Sequence, residues 1–176
     1  MRKTVCETKR LKMVTTLEED IISLYPKIFA DEVVAEFTFG EPISLAEAKA
    51  FMRKKFNYDG ILGFSPIIEK STQQLIGYGG ILKFKHHNKP NQYEFGYAFA
   101  QESWGLGYAT EIALEQIETI KEQFPNADIM ASVHPNNRAS KRVLEKVGME
   151  LLEASVVLGK RGLRDVYEIQ SKKGKK

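Results

Sequence analysis

The 176-residue chain has little of what staples, anchors or exports a protein. It holds one cysteine, Cys6, so no intrachain disulfide can form and a cytoplasmic setting is expected. Cys6 has no histidine near it in sequence and reads as a small apolar strand residue, not a nucleophile. No apolar run reaches the roughly 18 residues of a transmembrane helix. Met1–Arg2–Lys3 is not followed by an apolar core, so no signal peptide is expected. No Gly-Lys-Ser or Gly-Lys-Thr stands in the chain, which excludes a P-loop. No acidic residue closes a second strand about 20 residues after its central glycine pair, which excludes a dinucleotide fingerprint. Neither sign of charge dominates: 26 Lys and Arg face 23 Asp and Glu, a net charge of +3. Much of that excess lies in Lys172–Lys173–Gly174–Lys175–Lys176, expected to be a disordered, solvated tail. No aromatic residue is interleaved there for base stacking, so nucleic acid is not an expected partner. Internal repeats and linkers are also missing, and one domain over residues 1–170 is expected.

What is present centres on Trp104–Gly105–Leu106–Gly107–Tyr108–Ala109–Thr110–Glu111. Before it, Tyr93 to Ala100 alternates large and small side chains, a strand signal. After it, Ala109, Ile112, Ala113, Ile117, Ile120 and Phe124 recur at helical spacing. The glycine pair thus sits where a strand hands over to a long helix. Glycines let backbone approach a ligand closely, and a helix start offers unpaired N–H groups and partial positive charge to a phosphate. A tight turn packed on a neighbour would use the same residues.

Around this centre the chain reads as alternating elements. Thr8 to Thr15 is a strand, Glu18 to Leu24 opens a helical region, and Ser44–Leu45–Ala46–Glu47 is a capping box. Phe64 to Glu69 and Leu75 to Lys83 form a hairpin. Phe84 to Gln92 is a polar loop with His86 and His87. Adjacent histidines on a strand point to opposite sides, so no metal site is expected. Asp128 to Val133 is a strand. Asn137 caps a helix through Val147, with Gly148 ending it. Leu151 to Leu158 and Asp165 to Gln170 are the last strands.

The central stretch, together with His134–Pro135–Asn136–Asn137–Arg138–Ala139–Ser140 and Val143–Leu144–Glu145–Lys146–Val147–Gly148–Met149, resembles the Gcn5-related N-acetyltransferase (GNAT) superfamily. The likeness runs to the branch typified by ribosomal-protein N-terminal acetyltransferases, and Glu7 to Leu11 and Ile76 to Gly80 share it. It spans roughly residues 6 to 170. Trp104 stands where the superfamily usually has Gln or Arg, a change common in that branch. The resemblance implies a single α+β domain with a mixed, mostly antiparallel sheet flanked by helices. It implies acetyl-CoA as co-substrate, with Trp104, Gly105, Leu106, Gly107, Tyr108, Ala109 and Thr110 as its pyrophosphate loop. Asn137 would bond the pantetheine or phosphate arm. Backbone N–H groups around Phe99, Ala100 and Gln101 would stabilise the oxyanion. The acceptor would be a primary amine, on a protein N-terminus or a small molecule, attacking directly in a ternary complex. An acetyl-CoA sensor without turnover is the alternative, and the assembly is a monomer or homodimer.

Two side chains are candidates for proton transfer. Ser140 is the polar member of the stripe Ser140, Val143, Leu144, Val147. It reads either as a local backbone cap or as a donor to the coenzyme sulfur, the role proposed for this serine in the branch. Glu94 ends the small-residue face of its strand. It reads either as a salt-bridged rim residue or as the base that deprotonates the amine, as other superfamily members use a glutamate on this strand. His134 and Tyr108 are weaker candidates.

Overall fold

The computed structural model describes residues 1–169. The expected tail at 171–176 lies outside the described residues. Eight strands form one sheet among them: β1 (Thr4–Glu7), β2 (Leu11–Val14), β3 (Gly63–Glu69), β4 (Gln74–Phe84), β5 (Gln92–Phe99), β6 (Asp128–Val133), β7 (Glu150–Val157) and β8 (Leu163–Ile169). Their order is β1-β2-β3-β4-β5-β6-β8-β7, and every neighbouring pair is antiparallel except β5 with β6. The helices are α1 (Asp20–Leu24), α2 (Glu32–Thr38), α3 (Leu45–Lys55), α4 (Tyr108–Gln123) and α5 (Arg138–Lys146). This is the α+β arrangement the sequence implies.

The N-terminal region differs in detail from the sequence expectation. The strand expected over Thr8–Thr15 is present only as β2, the second arm of a hairpin whose first arm, β1, lies before it, because Thr8 closes a turn: its N–H donates to the Leu11 carbonyl at 2.9 Å, and its Oγ1 accepts from the Leu11 N–H at 3.1 Å. Helix α2 is an addition. Asp31 starts it, with Oδ1 accepting from the N–H groups of Val33 and Val34 at 3.0 and 2.9 Å. The capping box of α3 is present in both directions, Glu47 N–H to Ser44 Oγ at 3.2 Å and Ser44 N–H to Glu47 Oε2 at 2.8 Å.

Strand alternation divides the core. Phe95 of β5 packs with Ala113, Ile117 and Ile120 of α4 and Leu144 of α5. Ala98 and Ala100 point the other way, against α1, α2 and α3 through Leu24, Val34, Ala48 and Met52. Burying each isoleucine of the α4 stripe contributes about 1.5–3 kcal/mol, enough to fix which face of that helix meets the sheet.

The feature that makes a site is the β5–β6 pair. Their pairing runs from Gln92↔Asp128 to Glu94↔Met130 and stops, although β5 continues to Phe99 and β6 to Val133. Beyond Glu94 the two strands part. Ala100 N–H donates to the Ile76 carbonyl at 2.8 Å, toward β4. Alternation therefore turns the Phe99 and Tyr97 N–H groups away from β4, into the gap.

Candidate active site

A cavity of about 540 Å³ fills that gap, within the usual range for small-molecule sites. Its walls come from four elements: the loop and first turn of α4, one face of α5 with its Asn137 cap, the end of β5, and α2.

The loop reaches the cavity in a conformation its glycines permit. Gly105 and Gly107 have φ of +73° and +81°. Gly107 is the N-cap of α4 and brings no side chain to satisfy the first N–H groups. Those donors and the positive end of a 16-residue helix therefore stay available beside the cavity. The loop is braced from outside. Arg10 donates from Nη1 to the Leu106 carbonyl and from Nε to Glu111 Oε2, each at 2.7 Å. Glu111 Oε1 also accepts from Thr8 Oγ1 at 2.6 Å and from the Arg10 N–H at 2.8 Å. Burial opposes the Glu111 charge, but these bonds from Thr8 and Arg10 win and hold its carboxyl below the usual range. The Arg10 guanidinium lies 4.4 Å from the Tyr108 ring centre, and the Tyr108 hydroxyl bonds Glu69. Trp104 Nε1 donates to the Phe99 carbonyl at 2.8 Å, tying the loop to the end of β5.

Opposite the loop stands α5. Asn137 caps it, Oδ1 accepting from the Ser140 N–H at 3.1 Å, which leaves the Asn137 amide N–H₂ for the cavity. Ser140 lines the cavity with Arg142 and Lys146, two cations suited to an anionic ligand. Tyr97 joins them from β5. Its hydroxyl is buried yet has no hydrogen-bond partner. Burial pushes its phenol above the ordinary value, and Ser140 beside it pulls the other way without forming a well-shaped bond. A buried hydroxyl left open costs about 1–3 kcal/mol, a cost that a ligand group reaching it from the cavity would relieve.

Of the residues singled out from sequence, Phe99, Trp104, Gly105, Gly107, Tyr108, Ala109, Thr110, Asn137 and Ser140 line the cavity. Four do not. Leu106 points outward, half exposed, and only its carbonyl is used, by Arg10. Ala100 is fully buried and its N–H is already bonded to Ile76, so it has no donor for an oxyanion. The Gln101 side chain is spent on Asp31, at 2.8 Å to each carboxylate oxygen. Glu94 lies on the other face of β5, buried and gripped by Arg161, whose Nη1 donates to Oε2 at 2.9 Å while Nη2 donates to Oε1. Ser132 Oγ adds a weak contact to Oε2 at 3.4 Å. Both oxygens are thus engaged, and Glu94 has no place in the cavity wall. Glu94 in turn raises the Arg161 guanidinium above its ordinary value.

Tyr97, Arg142 and Lys146 were not singled out from sequence. Tyr97 is one of the large side chains that alternate along β5; its hydroxyl was the signal. Val34, Phe37 and Thr38 also line the cavity from the unforeseen α2. His134 serves its turn, Nδ1 accepting from the Asn136 N–H at 3.1 Å.

Loop, cavity and parted strands make an α+β domain with a ligand-sized site beside a helix N-terminus, and comparison places it. An acetyltransferase (GNAT) domain model matches residues 10–150, and the chain belongs to that family. It is an N-acetyltransferase of the GNAT kind. Protein YkkB of Bacillus subtilis is 30% identical over 149 residues, 84% of this chain and 86% of that one. A GNAT-family acetyltransferase structure from Bacillus anthracis superposes with a TM-score of 0.78 over 95% of this chain and 98% of that one, at 20% identity. Spermidine N-acetyltransferase of Vibrio cholerae, solved with CoA and spermine, superposes with a TM-score of 0.72 over 94% and 98%, at 17% identity.

Proposed function

We propose that this chain moves the acetyl group of acetyl-CoA to a primary amine, by direct attack within a ternary complex. The acceptor is a protein N-terminus, as the sequence likeness suggests, or a small-molecule amine. The observation that carries the reading is one cavity bounded by the uncapped start of α4 on one side and by Ser140 and Tyr97 on the other. The site fits the coenzyme: free helix N–H groups with Arg142 and Lys146 suit its phosphates, and the Asn137 amide suits its arm.

Bound there, acetyl-CoA would supply an activated acetyl thioester. The chain's own groups do the rest. The Phe99 N–H, turned into the gap between β5 and β6, faces developing charge on the carbonyl oxygen. The Ser140 hydroxyl gives a proton to the departing sulfur and regains one from water, and the Tyr97 phenol stands behind it as a second donor. No Asp, Glu or His lines the cavity among the described residues, so the amine loses its proton to water.

A turnover assay with free thiol as readout tests this. Thiol release that requires both acetyl-CoA and an amine is expected. Saturable coenzyme binding with no release across protein N-terminal peptides, polyamines, aminoglycosides and amino acids would instead make the chain a sensor.

A further inference from the structure

Away from the cavity, three metal-binding side chains meet. His86 Nε2 lies 2.9 Å and His87 Nε2 2.7 Å from the same oxygen, Oε2 of Glu153, and all three donor atoms lie within 4.8 Å of one another. The two rings are 4.0 Å apart. Adjacent residues on a strand cannot do this, and these are not on one. His87 and Asn88 have φ of +51° and +55°, a left-handed turn that swings both imidazoles to one side. The expectation of opposed rings fails for that reason.

Each partner is placed by its own element. His86 is buried, its N–H held by Gln92 Oε1 at 2.7 Å and its carbonyl accepting from the Lys89 N–H at 3.2 Å. Glu153 sits between two breaks in the β7–β8 register, and bulges of this kind re-aim a side chain. It lies opposite Val166, which lies opposite Ser132. Cross-strand partners share a face, so the cluster lies on the sheet face that carries Glu94.

We propose that His86, His87 and Glu153 bind a divalent transition-metal ion of the zinc class, tying the β4–β5 turn to β7. Two imidazoles and one carboxylate suit zinc and its neighbours and do not suit magnesium or calcium, which take oxygen donors. With bonds of about 2.0–2.1 Å, a tetrahedral ion needs donors about 3.3 Å apart, so each imidazole needs to draw back from Glu153 Oε2 by only about half an ångström. Three ligands leave a fourth position for water. The approach is open, since the side chains of His87 and Glu153 are 61% and 41% exposed.

The test uses the full chain without a histidine tag, stripped of metal and titrated with zinc, with magnesium as control. One equivalent of zinc is expected to bind, and zinc at about 100 times its dissociation constant to raise the melting temperature by about 5–10 °C. Magnesium should do neither. Losing a group that merely supports a ligand costs about 10–100-fold in affinity, so His87→Ala and Glu153→Gln should each weaken zinc at least about 100-fold. His87 is exposed and Glu153 partly so, and the fold should survive, which circular dichroism checks. No saturable zinc binding overturns the proposal. So does unchanged affinity in the double variant, which would mean that zinc sits elsewhere.

Discussion

Two polar groups on one strand, three residues apart, have opposite fates. Tyr97 faces α4 and α5, and its buried hydroxyl has no partner. Glu94 faces the other side, and both its oxygens are taken by Arg161. An odd spacing on a strand sends side chains to opposite faces, so one strand supplies both an open donor and a closed ion pair. By charge alone Glu94 is the more reactive residue. By availability Tyr97 is. Chemistry needs an available group, because a side chain whose lone pairs are engaged must break those bonds before it can act. The proposed mechanism therefore rests on the Tyr97–Ser140 side, and variants on either side can break it.

The largest effect is expected where the comparison does not yet enter, at coenzyme binding. A Cβ at Gly107 would lie 3.3 Å from the tip of the flexible Arg10 side chain, a contact that can give way. The backbone cannot give as easily, since φ of +81° is strained for a β-branched residue by about 1–3 kcal/mol. Gly107→Val should raise the acetyl-CoA dissociation constant at least about 100-fold in calorimetry while the protein stays folded. Parental affinity would remove the α4 N-terminus from the site.

Ser140→Ala comes next. A thiolate is a fair leaving group with a pKa near ~8.5, so losing its donor should lower kcat about 10–100-fold, with coenzyme affinity little changed. High pH should not restore it. Tyr97→Phe should cost less, about 3–10-fold in kcat, and nothing in coenzyme affinity. Burial raises its phenol above the ordinary value, so the parent's rate should show no loss from Tyr97 ionisation near neutral pH. If Tyr97→Phe leaves kcat unchanged while Ser140→Ala does not, the open hydroxyl belongs to packing and Ser140 acts alone.

Much of this site could be read from residue order. Gly105, Gly107, Asn137 and Ser140 belong to contiguous motifs whose local geometry is set within a few residues, and the strand-to-helix handover is periodic. The fold class follows from the same periodicities together with the family likeness. What escaped was long-range. Arg161 reaches Glu94 from 67 positions away, and Glu153 meets His86 from the same separation. Helix α2 escaped because it is only seven residues long, too short for a periodic signal, and rests on its Asp31 cap. The histidine pair misled because strand alternation was applied to a left-handed turn.

The smallest effect on turnover is expected at Glu94, which makes it the sharpest test of the comparison. Glu94→Gln keeps the shape but removes the charge facing Arg161, in a pair whose carboxylate is buried and whose arginine is 41% exposed. That half-open setting should hold the loss to about 1–3 kcal/mol, or roughly 2–12 °C in melting temperature. Turnover at pH 7 should fall less than about 3-fold, because the closed pair takes no proton from the amine. A general base removed from the same position would cost about 10²–10⁴-fold, and rising pH would recover part of it as more acceptor became neutral. The two outcomes differ by at least a factor of about thirty and by the slope of the pH profile. A large loss, recovered at high pH with coenzyme affinity intact, would mean that the Glu94–Arg161 pair opens when the acceptor binds. Water would then no longer be the base.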